Sequence, residues 1–208
     1  DHRVTSPIFS PDVLHIFHVT NHPGWMNSAM LILWIPFGFR GTCYYMRKVY
    51  HRTFFQNPTA CMVSKPEINH TIGYSGERGI FIFNNLHRYM LYLAIAILSM
   101  KYYDVVHTMQ FSGSWGFSVG TLVLAIESFL LTMYVISCHA FRHLVGGFLN
   151  QWRGRTSSFA GRIFKFSSRH NVHHNLWFWT SLAMVFLGDL FVMAVAEGLI
   201  SDPRLVLG

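Results

Sequence analysis

Four long apolar blocks divide this 208-residue chain, at about residues 25–46, 80–103, 117–145 and 176–200. Each block is about as long as the roughly 20 residues that an α-helix needs to cross the hydrocarbon core of a bilayer. Only 12% of the residues are charged, against about 25% in a typical soluble domain. Backbone polar groups must pair within the segment in lipid, so these blocks predict helices. The sequence therefore predicts an all-α integral membrane bundle of four transmembrane helices, forming one transmembrane domain over residues 1–208.

The stretch before the first block is apolar but too short to span. It begins without the charged-then-apolar order of a cleaved signal peptide. Its apolar residues predict a short interfacial helix: Phe9, Val13, Leu14, Ile16 and Phe17. Pro36 and Gly38 interrupt the first block, and membrane helices tolerate such residues where neighbouring groups satisfy the freed backbone.

Basic residues concentrate in two of the segments between the blocks. A formal net charge of +7 can indicate nucleic-acid binding, but here the basic residues border apolar blocks, so membrane topology explains them and no nucleic-acid partner is expected. The positive-inside rule places the loops at 47–79 and 146–175 in the cytoplasm and both termini outside, in a bacterial plasma membrane surrounded by lipid. The basic residues concerned are Arg40, Arg47, Lys48, Arg52, Lys65, Arg78, Arg88, Arg142, Arg153, Arg155, Arg162, Lys165 and Arg169.

With this topology, all three cysteines and most histidines fall on the cytoplasmic side. An odd number of cysteines argues against a disulfide framework. His139 and His143 are four residues apart and therefore share one face of a helix, which suits two imidazoles on one metal. Cys43 and Cys61 flank a loop that can fold one back towards the other. Two thiolates and two imidazoles match the ligand set of a Rieske-type [2Fe–2S] centre, and the same set could hold zinc. The inner histidines are His51, His70, His87, His139, His143, His170, His173 and His174.

Several motifs, taken together and in order, resemble the membrane-anchor subunit of a variant bacterial succinate dehydrogenase (complex II). The resemblance covers about residues 25–205. The motifs are Arg40-Gly41-Thr42-Cys43-Tyr44-Tyr45-Met46-Arg47-Lys48, Pro58-Thr59-Ala60-Cys61, Asn85-Leu86-His87-Arg88-Tyr89 and Ser137-Cys138-His139-Ala140-Phe141-Arg142-His143-Leu144-Val145-Gly146-Gly147.

The resemblance implies a function that depends on partner subunits. Such an anchor docks a flavoprotein subunit and an iron–sulfur subunit, and passes their electrons to a membrane quinone. It contains no succinate site or catalytic residue of its own. In this variant a Rieske-type [2Fe–2S] cluster replaces the haem of more familiar anchors. Carried onto this chain, the ligands are expected to be Cys43, Cys61, His139 and His143, with His87 as an alternative imidazole and Cys138 as a possible third thiol.

A quinone needs an apolar slot with a few hydrogen-bond donors. The candidates at the corresponding depth are His87, Arg88, Arg142, Tyr44 and Tyr45.

Two other cofactors remain open from the sequence. Haem b could bind between His87 and either His139 or His143, with an outer haem between His107 and either His18 or His22. Alternatively, the pair 139/143 and the cluster His170, His173 and His174 resemble two histidine boxes of membrane di-iron desaturases and hydroxylases, although a third box is missing.

Overall fold

The computed structural model describes residues 14, 17–19, 21, 23, 26–43, 45, 46, 49, 83–111, 114–147, 154 and 158–207. Seven helices and three short strands lie within these ranges. In chain order they are α1 Ser28–Ile32, α2 Trp34–Gly41, α3 Phe83–Thr108, β1 Gln110–Phe111, β2 Ser114–Ser118, α4 Val119–Ile136, α5 His139–Val145, α6 Phe159–Asn171, α7 His174–Ala196 and β3 Arg204–Leu207.

Three helices are long and apolar enough to cross a membrane. These segments are Leu86–Thr108 within α3, Val119–Ile136 (α4) and His174–Ala196 (α7). They confirm the predicted all-α membrane bundle. The predicted N-terminal interfacial helix lies mostly outside the described residues.

The first apolar block forms a shorter helical segment than predicted. Helices α1 and α2 together cover residues 28–41, with a turn at Leu33. Pro36 has no N–H to donate to the carbonyl of Ile32, which accounts for the interruption. The Asn27 side chain accepts a hydrogen bond from Met30 N at 2.8 Å and so caps α1.

The third apolar block is divided rather than continuous. Helix α4 ends at Ile136 and α5 begins at His139, and Cys138 between them has extended backbone angles (φ −67°, ψ 140°). The unpredicted helix α6, in the segment expected to be a loop, packs against this break. Asn171 Nδ2 donates to Ser137 O at 2.7 Å, and Ser167 Oγ donates to Ile136 O at 2.7 Å. These bonds satisfy carbonyls that the end of α4 leaves without helical partners.

A small antiparallel sheet, also not predicted, lies at one end of the bundle. Strand β2 pairs with β1 and with β3, with Trp115 opposite Gln110 and Gly116 opposite Val206. Asp202, just before β3, accepts a hydrogen bond from Gly120 N at 3.0 Å near the start of α4. We call this end, where α3 and α7 finish and α4 begins, the sheet end. We call the opposite end, where α2 and α4 finish and α3 and α7 begin, the site end.

Close packing between α2 and α3 depends on a glycine. A Cβ placed on Gly38 would lie 3.0 Å from Met90 Sδ. Nearer the site end, Phe39, Leu91, Tyr134, Val135, Cys138 and Phe178 form the buried core. This buried core adjoins the residues described next.

Candidate functional site

Two buried cysteines and two buried histidines face each other in pairs at the site end. His87 Nε2 lies 3.0 Å from Cys138 Sγ, and His174 Nε2 lies 3.4 Å from Cys43 Sγ. Relative exposure is 2% for each cysteine, 6% for His87 and 8% for His174. Both thiols are free cysteines. Water is therefore almost excluded from all four potential ligands.

Each of the four side chains comes from a different helix end. Cys43 follows the end of α2, and His87 lies in the second turn of α3. Cys138 occupies the break between α4 and α5, and His174 is the first residue of α7. A donor at a helix end can approach donors from neighbouring helices without a clash between backbones, so the break in the third apolar block serves the site directly.

A threonine hydroxyl determines which nitrogen of His87 carries the proton. Thr42 Oγ1 donates its hydrogen to Gly38 O at 2.6 Å. The same oxygen lies 3.1 Å from His87 Nδ1, and because its only proton is already used, it accepts from Nδ1–H. The hydrogen-bond network therefore assigns the proton to Nδ1 and leaves a lone pair on Nε2, which faces Cys138.

A serine hydroxyl orients His174 in the same way. Ser137 Oγ donates to Tyr134 O at 3.1 Å and lies 2.8 Å from His174 Nδ1. It therefore accepts from Nδ1–H, and the lone pair of His174 Nε2 faces Cys43. Metal-binding histidines commonly donate their second ring N–H to such a partner, which fixes the tautomer and the ring orientation.

The four donors form two pairs rather than one convergent set. Within the described ranges, no three His, Cys, Asp or Glu side chains converge in the way that a single metal ion requires. Structural zinc, which takes four ligands at one point, fits this arrangement poorly. A binuclear group that takes four protein ligands in all, two thiolates and two imidazoles, would fit the number and the kinds of donors.

Both thiols are held in their protonated form in the chain itself. Burial raises the pKa of Cys138 to about 12, although backbone N–H groups of Ala140 and Phe141 act in the opposite direction. Burial also raises the pKa of Cys43. A metal group must therefore displace both thiol protons when it binds, because only thiolates are strong ligands.

Two aromatic rings connect the imidazoles to an adjoining cavity. Phe39 stacks on His87 with 4.6 Å between ring centroids and 6° between planes. Tyr134 stacks on His174 at 5.0 Å and 17°. Both aromatic rings line the cavity, so one ring thickness separates it from each imidazole.

The cavity has a volume of about 250 Å³ and lies between α1, α2, α3, α4 and α7. Phe37 and Phe186 belong to its wall and are 70% and 61% exposed, so the cavity opens at the side of the bundle. The wall is apolar except for a few groups. Arg40 lines the part nearest the site end, donating to Phe178 O and Ser181 Oγ at 2.9 Å each, and Lys101 and Glu127 line another part.

The predicted metal ligands are only partly brought together. Cys43 lies in the site, and the alternative ligand His87 is in it as well. Cys61 lies outside the described residues. His139 is exposed, and its Nδ1 accepts from Arg142 Nη2 at 3.1 Å.

The second member of the predicted histidine pair lies beside the first. The ring of His143 lies 6.1 Å from that of His139. The structure thus brings His87 and His174, rather than this pair on α5, to the two thiols.

Of the predicted quinone-binding residues, the four that the structure describes do not line the cavity. The two ring nitrogens of His87 contact Thr42 and Cys138. The Tyr45 hydroxyl accepts a hydrogen bond from Trp179 Nε1 at 3.2 Å. Arg88 and Arg142 lie at the site end but outside the cavity wall, and Tyr44 is outside the described residues.

Sequence reasoning did not single out His174 as a partner of the cysteines. It had grouped His174 with His170 and His173 as a di-iron box, yet His170 Nδ1 donates to Phe166 O and His173 is exposed. A usable signal was present, because His174 immediately precedes a long apolar helix and so had to lie at the membrane boundary with Cys43 and Cys138.

Comparisons with known proteins agree with this architecture. No curated protein sequence matches the chain. A chain of the structure described as "Mycobacterium smegmatis Sdh1 complex in the apo form" is similar to this one with 34% identity and a TM-score of 0.72, over 90% of this chain and 69% of that chain. The family model described as "Actinobacterial succinate dehydrogenase subunit SdhC" matches residues 1–198. The chain therefore belongs to the family of membrane subunits of actinobacterial succinate dehydrogenase.

Proposed function

We propose that this chain passes electrons from the iron–sulfur subunit of succinate dehydrogenase to a membrane quinone, through a Rieske-type [2Fe–2S] cluster held by Cys43, Cys138, His87 and His174. The observation that carries the proposal is the donor set: two buried thiols and two buried imidazoles lie at one end of the bundle, and each imidazole has a lone pair on Nε2 because a hydroxyl holds its Nδ1–H. A Rieske-type centre takes both thiolates on one iron and both imidazoles on the other, so the thiol–imidazole pairs would separate when such a group binds. This ligand set retains Cys43 and takes up His87 and Cys138, which the sequence offered as alternatives. It adds His174 and omits Cys61, His139 and His143.

The donor chemistry supports a Rieske-type group. When bound, such a group supplies one-electron chemistry at a potential that imidazole ligation raises above that of all-cysteine clusters. Neutral imidazoles also carry less charge into a buried site than thiolates do, which reduces the cost of desolvation. Thr42 and Ser137 keep the rings aimed at the ligand positions. Phe39, Leu91 and the surrounding core exclude water.

The adjoining cavity suits the head group of a quinone. Its volume of about 250 Å³ lies just below the usual range of roughly 300–1,000 Å³ for small-molecule sites, and its lateral opening leaves room for an isoprenoid tail in lipid. The guanidinium of Arg40 uses two of its five N–H groups on Phe178 O and Ser181 Oγ. It is therefore a fixed donor for a quinone oxygen. Phe39 and Tyr134 connect this position to the imidazoles by direct ring contact.

The site end is the expected docking face for the flavoprotein and iron–sulfur subunits. It carries the described basic residues Arg88, Arg142, Arg162, Lys165 and Arg169. The positive-inside rule then places this end in the cytoplasm and both termini outside. Electrons that arrive at the cytoplasmic face would meet the four donors first and the cavity next.

The test uses the purified succinate dehydrogenase complex that contains this chain. The wild-type complex should give the electron paramagnetic resonance signal of a histidine-ligated binuclear cluster. We expect His174→Ala to abolish this signal. Iron and acid-labile sulfide should fall by the content of one such cluster. Quinone reduction should be lost, whereas succinate oxidation with an artificial acceptor should continue at the soluble subunits.

His143→Ala is the matched control, because it removes an imidazole from the same end of the bundle but not from the thiol pairs. It should leave the signal intact. Loss of the signal in His143→Ala with retention in His174→Ala would contradict the proposed ligands and favour the pair on α5. A sharp reduced b-haem band in the optical spectrum of the wild-type complex, without a histidine-ligated cluster signal, would contradict the cofactor itself.

A further inference from the structure

A buried ion pair lies deep in the bundle, away from the thiols and imidazoles. Lys101 Nζ on α3 lies 2.8 Å from Glu127 Oε1 on α4. Glu127 is 0% exposed and Lys101 is 7% exposed. Glu127 Oε2 has no hydrogen-bond partner among the described residues. Ionisable groups at such depth are costly and generally serve a function.

The pair lies nearer the sheet end than the site end. At 1.5 Å per helical residue, Lys101 is about 20 Å along α3 from His87 and about 10 Å from the last residue of that helix. Glu127 is about 12 Å from the start of α4 at the sheet end. Electrons enter the bundle, by the proposed function, from the other end.

A second carboxylate acts on Glu127. Asp189 on α7 is close enough to repel the Glu127 carboxylate, whereas Lys101 attracts it. Arg40 on α2 lines the same cavity and donates to Phe178 O and Ser181 Oγ. Because Glu127 Oε2 is buried without a hydrogen-bond partner among the described residues, a carboxyl group in this position can hold and release a proton.

Both members of the pair line the cavity, and a half-buried carboxylate lies between them and the sheet end. The cavity wall includes Lys101 and Glu127 as well as Arg40. Asp104 lies one turn beyond Lys101 on α3 and is half-buried, and residues three apart on a helix are neighbours. Near the start of α4, the buried hydroxyls of Ser118 and Thr121 lie 3.2 Å apart. Asp104 on α3 and this hydroxyl pair on α4 thus offer separate polar groups between the ion pair and the sheet end.

We propose that Glu127 is the proton donor to the quinone in the cavity and takes its protons from the sheet end of the bundle. The inference rests on the proposed reduction of quinone in this cavity. Electrons and protons would then reach the quinone from opposite faces of the membrane, and each turnover would move charge across it.

A quinone takes two electrons, supplied by succinate through the proposed metal site, and two protons to become a quinol. Each proton transfer breaks the carboxyl O–H bond of Glu127 and forms an O–H bond on a quinone oxygen. The resulting carboxylate remains paired with Lys101 until a proton from water at the sheet end, passing Asp104, restores the acid. Glu127 goes through this cycle twice for each quinol.

The experiment places the intact complex in liposomes with the soluble subunits outside and a pH-sensitive dye in the lumen. The quinone is a short-chain menaquinone or ubiquinone, whichever supports turnover in the wild type. Addition of succinate should make the lumen alkaline. In Glu127→Gln, which preserves shape but carries no proton, we expect quinone reduction to fall about a hundredfold, with the cluster signal and artificial-acceptor activity retained. Glu127→Asp should recover part of the rate.

Glu197→Gln is the matched control, because it makes the same chemical change on an exposed residue just beyond α7, and it should behave as the wild type. A wild-type rate in Glu127→Gln would overturn the inference. The inference would also be overturned if the wild-type complex reduced quinone without making the lumen alkaline. That measurement does not depend on whether any variant folds. A wild-type complex that has no histidine-ligated cluster or reduces no quinone would instead refute the proposed function.

Discussion

Replacement of Thr42 by valine tests the tautomer on which the proposed cluster depends. Valine has nearly the shape of threonine but offers His87 no hydroxyl. The buried Nδ1–H would then lose its acceptor at 3.1 Å, and leaving such a donor unsatisfied costs about 1–3 kcal/mol. The ring can avoid that cost by moving its proton to Nε2. Because Nε2 is the atom that faces Cys138, a His87 ring with its proton on Nε2 no longer presents a lone pair to a metal there.

The expected loss of cluster affinity follows from the role of the Thr42 hydroxyl as the hydrogen-bond partner of His87. Loss of a hydrogen-bond partner behind a metal-binding histidine typically weakens metal affinity about 10- to 100-fold, which equals about 1.4–2.7 kcal/mol. Thr42→Val should therefore yield complex that loses the cluster to a chelator at roughly 10- to 100-fold lower concentration than wild type. Ser137→Ala should have a similar effect through His174.

The assay follows the histidine-ligated cluster signal in the purified complex during chelator titration. Thr180→Val is the matched control: Thr180 Oγ1 donates to Leu176 O at 2.8 Å, as Thr42 Oγ1 does to Gly38 O, and Thr180 does not touch the site histidines. If Thr42→Val and Thr180→Val held their clusters equally well, the tautomer argument would be refuted.

Three further outcomes are expected. The buried hydroxyl of Tyr134 has no hydrogen-bond partner among the described residues and is close enough to interact electrostatically with both thiols. A donor near sulfur stabilises the reduced form, so Tyr134→Phe should lower the midpoint potential of the proposed cluster in a redox titration by about 40 mV, the one-electron equivalent of about 1 kcal/mol. Gly38→Leu should lower the Tm in detergent, because even a Cβ added at Gly38 would lie 3.0 Å from Met90 Sδ. Gly38→Ala should change the stability by less than about 1 kcal/mol, since the Met90 side chain can shift and alanine favours the helix. Asn171→Ala removes the donor to Ser137 O and should destabilise the complex by about 1–3 kcal/mol, and an unchanged unfolding midpoint would contradict that role.

The sequence was sufficient to predict the long helices because lipid imposes a minimum apolar length on any span. That constraint acts on each helix alone, so α3, α4 and α7 could be found without knowing their neighbours. The division between α4 and α5 could not be found this way. Ser137 and Cys138 are small and compatible with an apolar helix, and neither proline nor glycine marks the break.

The proposed ligand set was harder to predict because it depends on helix rotation. The four-residue spacing of His139 and His143 correctly implied a shared helix face, but spacing does not tell which face is buried. On α5 that face carries the exposed His139. The hydroxyl partners Thr42 and Ser137 each directly precede a cysteine, and their value as orienting groups appears only once the histidines of distant helices are beside them.

The contribution of four separate helix ends to one site has a consequence for biogenesis. His174 opens α7, so the ribosome synthesises this donor only after α2, α3 and α4, which position the other three donors. If the proposed cluster is held by these four donors, it can be loaded only after α7 has joined the bundle, because an earlier intermediate offers an incomplete set of ligands. Binding of the cofactor would thus depend on correct assembly of the helices.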